Sequence, residues 1–391
     1  MDYAAEALKR HYAWHGKLSI SPKMKVDSRE SLSLAYTPGV AAPCLEIKAH
    51  PQEMWKLTGR ANTVAVVTDG SAVLGLGNIG PRAGMPVMEG KCVLFKEFAG
   101  VDAVPICLDS QKVDDIVEAV RLIAPSFGGI NLEDIAAPRC FEVEKRLRQI
   151  CEIPIFHDDQ HGTAIVVAAA LKNALKVVGK ELSQVKAVFS GAGAAGTAIF
   201  KLLHDMGLQN AILCDIHGIV HPGRPDLSDD PYLAELAQLS RPPVMEGGLA
   251  AALQGADVFI GVSAPNLVTE DMVRSMADRP ILFPMANPTP EIMPDAALRA
   301  GAAVVGTGRS DFPNQINNVL AFPGVFRGAL DAGAVTINGE MEQAAADALA
   351  RLVGDELSDT YILPAAFDPR ICPAVAEAVA AAARRTGVVR S

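Results

Sequence analysis

The chain has 391 residues, a formal net charge of −10 and a hydrophobic share of 50%. This length suggests two or three domains, because one domain usually holds roughly 100–200 residues. The acidic balance argues against nucleic acid or an anionic membrane surface as a partner. Seven scattered cysteines and an N-terminus without a signal-peptide core favour a cytoplasmic protein with reduced thiols.

The first 160 residues mix predicted helices and strands. In chain order, the hydrophobic pattern predicts a helix over 2–15, a strand over 64–68, apolar runs over 91–98 and 104–108, helices over 113–123 and 141–150, and a strand over 153–156. We expect these elements to form a mixed α/β domain.

From Gly162 onward, strands and helices alternate. We expect helices over 163–178 and 197–206, strands over 185–190, 211–214, 257–262, 280–285 and 303–306, and an Ala-rich helical tail from about residue 340. Alternation of this kind predicts a Rossmann-type, doubly wound parallel sheet, so the fold class is α/β. The apolar helix over 163–178 contains Lys172 and Lys176, and is therefore expected to be a buried helix and not a membrane span.

Two stretches match the dinucleotide-binding fingerprint G-x-G-x-x-G. The second, GAGAAG, contains Gly191, Gly193 and Gly196, with Ala194 and Ala195 between them. A predicted strand precedes it and a predicted helix follows, as pyrophosphate binding at a helix N-terminus requires. An acid, Asp215, ends the next predicted strand, where the ribose hydroxyls of a dinucleotide bind.

The first stretch, GLGNIG, contains Gly75, Gly77 and Gly80. It is followed by PRAGMPVMEG, whose glycines and Pro86 are expected to interrupt any helix. We therefore interpret GLGNIG as a turn region that passes close to the substrate cleft and helps to aim Lys91 into it.

Two acidic pairs lie between apolar runs, Glu133-Asp134 and Asp158-Asp159. Buried carboxylates must be paired or bind a cation, and oxygen ligands suit Mg²⁺ or Mn²⁺. The pairs alone equally fit solvated loop residues or helix caps.

Candidate proton-transfer groups are a lysine at the start of an apolar run, Lys91, and a tyrosine in a Pro-Gly turn, Tyr36. Burial near a dication can make a lysine a base, although Lys96 lies in the same run. Asn287 and Asn317 follow predicted strands, where side chains face the ligand crevice or simply form turns.

The ordered set of motifs AYTPGVAAPC, VTDGSAVLGLGNIGPRAGMPVMEGK, INLEDI, IFHDDQHGTA, FSGAGAAG, FPMANPTPE and NQINNVLAFPG resembles the malic enzyme family of the short bacterial type. The resemblance extends from about Tyr36 to Gly324. It implies oxidation of L-malate with NAD or NADP and decarboxylation to pyruvate, with Mg²⁺ or Mn²⁺, in a homodimer or higher homo-oligomer.

The resemblance also implies roles for individual residues. Tyr36 is similar in position to the family's proton donor and Lys91 to its general base, with Asp158 orienting that base. The residues similar to the metal ligands are Glu133, Asp134 and Asp159, and those similar to substrate or nicotinamide contacts are Asn287 and Asn317. Larger family members bind malate with an arginine where this chain has Ala72, so the substrate carboxylate must find another partner.

Asp215 favours NAD over NADP, because an acid at this position repels a 2′-phosphate. Only Arg224 opposes it among the residues that follow. The expected domains are an N-terminal substrate and dimerisation domain (1–161), an NAD(P)-binding domain (162–337) and a helical tail that packs back on the N-terminal domain (338–391).

Three other functions are open from the sequence. Conversion of malate to lactate could proceed on the same scaffold. A non-catalytic nucleotide-binding regulator would be expected to lack some of the site residues. An amino-acid-type dehydrogenase would not explain the acidic pairs.

Overall fold

A computed structural model describes residues 3–73, 75–240 and 246–390. Its helices are α1 (Tyr3–Trp14), α2 (Arg29–Ala35), α3 (Ala41–Ala49), α4 (Met54–Leu57), α5 (Gly80–Ala99), α6 (Val113–Ile123), α7 (Arg139–Ile150), α8 (Thr163–Val178), α9 (Ala194–Asp205), α10 (Pro231–Leu239), α11 (Leu249–Leu253), α12 (Glu270–Arg274), α13 (Pro294–Arg299), α14 (Phe322–Ala332), α15 (Gly339–Leu352) and α16 (Ile371–Arg385). Its strands are β1 (Thr63–Thr68), β2 (Asp102–Cys107), β3 (Gly129–Leu132), β4 (Ile155–His157), β5 (Lys186–Ser190), β6 (Asn210–Asp215), β7 (Gly218–Ile219), β8 (Val258–Gly261), β9 (Ile281–Pro284) and β10 (Val304–Val305).

The strands form two sheets. The first is fully parallel, in the order β2-β1-β3-β4. The second has the order β10-β9-β8-β5-β6-β7 and is parallel except for β7, which runs antiparallel to β6. The chain order reverses direction at β5, which creates a crevice between the carboxyl ends of β5 and β8. The predicted α/β class with a Rossmann-type sheet is confirmed.

The helix α8 lies in the centre of the core. By length and composition the stretch Asp158–Val178 could cross a membrane, but 72% of its apolar 18-residue window is buried inside the protein. Its apolar side chains pack in one cluster with Phe156, Phe189 and Phe326, which connects the two sheets. The prediction of a buried core helix is confirmed.

The helix α5 corrects one sequence prediction. The segment PRAGMPVMEG does not interrupt a helix, since α5 runs through Pro86 from Gly80 to Ala99. Pro81 occupies the first turn, where its missing N–H costs nothing. The buried face of α5, including Met88 and Phe95, supplies packing energy that outweighs the poor helix propensity of glycine and proline.

The C-terminal segment contacts the N-terminal part of the chain. The guanidinium of Arg390 stacks on the ring of Trp55 at 3.6 Å, and Arg60 lies 4.2 Å from the same ring. Nη1 of Arg327 in α14 donates to Oδ1 of Asn62 at 2.6 Å. Of these contacts, only that of Arg390 involves the expected tail, and it accords with the expected packing of the tail, while the domain boundaries themselves stay a prediction.

Candidate active site

Two acidic pairs meet at one edge of the first sheet. Glu133 and Asp134 follow β3, and Asp158 and Asp159 follow β4. Since β3 and β4 are parallel neighbours, their carboxyl ends lie side by side. One carboxylate oxygen from each of Glu133, Asp134 and Asp159 lies within 4.8 Å of the others. We call these three residues the acid cluster.

The electrostatics of the acid cluster fit a bound cation. Burial and the neighbouring carboxylates raise the pKa of Asp134 to about 9, and burial raises that of Glu133 to about 7 and that of Asp159 to about 6. The buried Oδ2 of Asp134 has no hydrogen-bond partner among the described residues. Three carboxylate ligands suit Mg²⁺ or Mn²⁺, and Oδ2 of Asp134, free of hydrogen bonds from the described residues, is available to a cation. The residues present therefore fit the expected metal.

Lys91 lies on the buried face of α5 and reaches the acids directly. Its Nζ is 2.9 Å from Oε1 of Glu133, forms an ion pair with Oδ2 of Asp158, and lies over the ring of Phe322 at 4.1 Å. Burial alone would lower the pKa of Lys91, but Asp158 and Glu133 outweigh burial and raise it. The alternative base, Lys96, is well exposed and pairs with Asp102, away from the acid cluster.

Asp158 lies between Lys91 and Asn318, which belongs to the segment before α14. Besides Lys91, its Oδ2 accepts from Nδ2 of Asn318 at 2.5 Å. A Cβ on Gly162 would collide with Oδ1 of Asp158, so this glycine leaves space for the buried carboxylate. Asp158 thus contacts both Lys91 and Asn318, while its role in orienting the lysine stays a prediction.

The glycine fingerprint lies at the crevice between β5 and β8. A Cβ on Gly191 would meet the carbonyl oxygen of Val262 at 2.8 Å, and one on Gly196 would collide with the carbonyl of Gly191. These two glycines therefore serve close packing. A Cβ on Gly193 would meet no atom of the described structure within 4 Å, so the space beside it is free for a pyrophosphate.

Asp215 ends β6, as expected for the acid near a ribose. Its Oδ1 accepts from Nη1 of Arg224 at 2.8 Å and from the N–H of His217 at 2.8 Å. The Arg224 side chain is only 7% exposed and also binds Asp226. The folded loop places Arg224 on the acid itself, which weakens the prediction of NAD preference from an unopposed Asp215.

A cavity of about 570 Å³ joins the acid cluster to the dinucleotide fingerprint. Its wall combines cluster acids, the fingerprint, strand-end loops and the amides. Among the residues lining it are Ala72, Asp134, Asp159, Gly193, Ala194, Ala195, Ser263, Asn287, Asn317 and Asn318. The cavity therefore brings together half of the predicted site residues, with Ala72 at the position of the missing arginine, whereas Lys91 and Glu133 do not line it.

Tyr36 is not part of this cavity. It lies at the end of α2 and is 69% exposed, whereas Lys91 is 7% exposed. Within one described chain, the predicted proton donor and the predicted base are not brought together.

Two buried carboxylates near the site were not predicted. Glu291 accepts from the N–H groups of Ser263 at 2.8 Å and Ala286 at 3.1 Å, and so ties together the loops after β8 and β9. Its only sequence signal was its place at the end of FPMANPTPE.

The second unpredicted carboxylate, Glu144, contacts Nε2 of His161 at 2.9 Å. Burial opposes the charged forms, but their mutual attraction lowers the pKa of Glu144 to about 2. The two carboxylates facing His161, from Glu144 and Glu342, raise its pKa to about 10.

A dinucleotide fold whose fingerprint shares one cavity with Asp134 and Asp159 of the acid cluster is typical of an NAD(P)-linked oxidoreductase. The chain belongs to the malic enzyme family. The family model for the malic enzyme N-terminal domain matches residues 15–148, and that for the malic enzyme NAD-binding domain matches residues 160–384. The predicted resemblance is confirmed, and the chain is an enzyme with NAD(P) as its cofactor.

Similar proteins agree with this assignment. The bifunctional malic/malolactic enzyme of Bacillus subtilis is 57% identical over the whole chain and 95% of its own length. The NAD-dependent malic enzyme of Geobacillus stearothermophilus is 55% identical, over 96% of this chain and 78% of the relative. The crystal structure of the NAD-dependent malic enzyme of Thermotoga maritima is 47% identical with a TM-score of 0.92, covering 96% of this chain and 98% of that chain. These relatives do not favour a non-catalytic regulator or an amino-acid dehydrogenase.

Proposed function

We propose that the chain catalyses the oxidative decarboxylation of L-malate to pyruvate and CO₂, with reduction of NAD or NADP. The observation that carries this proposal is the single cavity lined by Asp134 and Asp159 of the acid cluster and by Gly193. A substrate that binds there lies between the cation ligands and the space for a dinucleotide.

The acid cluster would hold Mg²⁺ or Mn²⁺, which supplies Lewis-acid stabilisation of the substrate oxygens. Lys91 accepts the C2 hydroxyl proton while the C2 hydride passes to the nicotinamide. When the C3–C4 bond breaks and CO₂ leaves, the electron pair forms the enolate of pyruvate, and Tyr36 donates a proton to C3. Asn287 and Asn317 contact the substrate or the nicotinamide.

The pKa of Lys91 depends on the charges of the neighbouring carboxylates. In the described structure, Asp158 and Glu133 hold the pKa of Lys91 above its ordinary range. Once the charge of the acid cluster is compensated, these carboxylates no longer hold the proton as firmly, and Lys91 moves toward the protonation state that a base requires.

Tyr36 reaches the site, in this proposal, from a second copy of the chain in a homodimer. None of the described residues between 3 and 63 is buried, and this segment exposes large apolar side chains, among them Tyr3, Tyr12, Trp14 and Ile20. An apolar surface of this extent marks a protein interface. A two-fold dimer would cover it and could bring each Tyr36 to the partner's cavity.

Mixing two inactive variants tests this arrangement. If Tyr36 acts across the dimer, Tyr36→Phe and Lys91→Ala chains that exchange subunits regain up to about a quarter of wild-type activity, because half the dimers are mixed and each has one intact site. If Tyr36 acts within its own chain, the mixture stays inactive. Light scattering checks that both variants are dimers.

Conversion of malate to lactate is a second candidate activity, favoured by the 57% identity to a bifunctional malic/malolactic enzyme. In that reaction the NADH formed stays bound and reduces pyruvate. Following NADH, pyruvate and lactate together, with malate and Mn²⁺ and with either NAD or NADP, tests both proposals. Equal amounts of NADH and pyruvate support the first, and lactate without net NADH supports the second.

We also propose a cytoplasmic location and the domain division at residues 161 and 337. All seven cysteines are free thiols, which accords with a reducing compartment. Cysteine labelling of the native protein in cell extracts tests the first proposal, and limited proteolysis tests the second.

A further inference from the structure

A network of buried ionic groups lies behind the turn that carries Asp158 and Asp159. His161, at the end of this turn, places Nε2 at 2.9 Å from Oε2 of Glu144 and Nδ1 at 3.0 Å from Oε1 of Glu342. Since both ring nitrogens face carboxylate oxygens, both donate, and the ring is an imidazolium between two anions. The two carboxylates come from α7 and α15, so three separate elements meet at one side chain.

Glu144 holds the turn at both ends. Its Oε1 accepts from the backbone N–H of His157 at 3.2 Å, immediately before the two aspartates. Its Oε2 accepts from Nε2 of Gln160 at 3.3 Å and contacts His161, immediately after them. Nη2 of Arg148 also donates to Glu144, at 2.9 Å, and balances part of its charge.

The turn itself needs such support. Residues Asp158–Gly162 form one π-helical turn before α8, a wide and uncommon geometry that often occurs at functional sites. The turn sends two consecutive carboxylates to different partners. Asp158 contacts Lys91, whereas Oδ2 of Asp159 accepts from the N–H of Asp134 in the acid cluster. A small change in the turn would alter both contacts together.

We propose that Glu342 and His161 are positioning residues that hold the π-helical turn so that Asp158 stays on Lys91 and Asp159 stays in the acid cluster. This inference rests on the proposed function, because it assigns the turn to the cation site and the base. Among the described residues that line the cavity, none belongs to α15. The proposal nevertheless gives this helix a role in positioning the groups that act on the substrate.

Binding of Mn²⁺ alone, measured by calorimetry on the full chain, tests the inference without turnover. We expect Glu342→Gln to weaken Mn²⁺ binding about tenfold, the low end of the ten- to hundredfold cost of losing a direct partner of a metal ligand, because Glu342 acts on Asp159 only through His161 and the turn. Glu342→Asp keeps the charge and should recover part of that loss. Glu340→Ala, an exposed change on the same helix, should leave binding unchanged.

Steady-state kinetics supply the second readout. For Glu342→Gln we expect a lower kcat and a higher requirement for Mn²⁺, with the Kd for NAD unchanged. Unchanged Mn²⁺ affinity in a Glu342→Gln protein of lower melting temperature would overturn the inference, because the network would then serve stability alone. Absence of Mn²⁺ binding or malate oxidation in the wild-type chain would instead overturn the proposed function.

Discussion

The backbone N–H of Asp134 donates to Oδ2 of Asp159 across 2.8 Å, and so joins two acids that are 25 residues apart in the chain. Asp134 has a left-handed backbone, with φ of 54°, which is uncommon outside glycine. The bond explains how two short acidic motifs become one acid cluster. It also fixes Asp159 through a neutral contact, so the charge of Asp159 can be tested separately from its position.

Replacing Asp159 with asparagine should weaken Mn²⁺ binding at least about tenfold, because the amide oxygen still accepts from Asp134 but lacks the negative charge. Calorimetry of Mn²⁺ binding measures the effect. Asp271→Asn, at an exposed residue of α12, is the matched control. An unchanged titration for Asp159→Asn would remove this residue from the metal site.

Lys91→Ala should lower kcat for malate oxidation by about 10²- to 10⁴-fold, the usual contribution of a general base. The Kd for NAD should stay the same, since Lys91 does not line the cavity that contains the dinucleotide fingerprint. Lys96→Ala removes only an exposed ion pair and serves as the control. Near-full activity in Lys91→Ala would make Lys96 the candidate base.

Asp215→Ala should lower kcat/KM for NAD at least about tenfold more than kcat/KM for NADP, because it removes a ribose acceptor and frees Arg224 for a 2′-phosphate. Initial rates with both cofactors measure this ratio. Asp229→Ala, an exposed acid in the same loop, should leave the ratio unchanged. An equal loss with both cofactors would mean that Asp215 has only a structural role.

Gly193→Val should abolish tight NAD binding while the melting temperature stays within a few degrees of wild type. The backbone φ of Gly193 is −78°, which valine tolerates, and a Cβ there meets only the free space. Gly196→Val should instead destabilise the protein, because its Cβ collides with the Gly191 carbonyl. Melting curves and NAD titrations distinguish the two effects.

Stability without metal should fall as the pH rises from 7 to 9. The pKa of Asp134 is raised to about 9 in the folded protein, from about 3.9 in an unfolded chain. The folded state therefore binds more protons, and its stability decreases with rising pH. The raised pKa of His161, about 10, acts in the same direction above its ordinary range.

Melting temperatures in EDTA, recorded across this pH range, check the prediction. Excess Mn²⁺ should flatten the slope, because the cation stabilises the ionised acids. Asp134→Asn should flatten it without metal. A melting temperature in EDTA that rises with pH would contradict the assigned protonation of Asp134.

The sequence predicted those parts of the site that depend on strand ends. Asp134, Asp159 and Gly193 each follow a strand or begin a helix, and parallel pairing then brings them to one edge. It could not predict Arg224 on Asp215, because this contact depends on how an irregular loop folds. The π-helical turn escaped prediction for a related reason, since its stability comes from Glu144 and Glu342, which are remote in sequence.

The segment after the first glycine motif shows that helix propensity alone does not predict where a helix breaks. Gly84 and Pro86 predicted a break, but tertiary packing holds α5 as one helix. The prediction that GLGNIG lies close to the substrate cleft stays a prediction, although the nearby Ala72 donates its N–H to the carbonyl of Asp134 at 2.9 Å.

Gly70 and Gly80 fix the position at which α5 begins. A Cβ on Gly70 would collide with the carbonyl of Gly80, and the carbonyl of Gly70 accepts the N–H of Gly80 at 3.1 Å. This close backbone contact fixes the first residue of α5 next to the end of β1. Lys91 lies 11 residues further along, roughly 16 Å at 1.5 Å per residue. A slight rotation of α5 at the Gly70–Gly80 contact would therefore move the ammonium group of Lys91 away from Asp158 and Glu133. A substitution at either glycine would then lower activity although it lies far from the reacting groups.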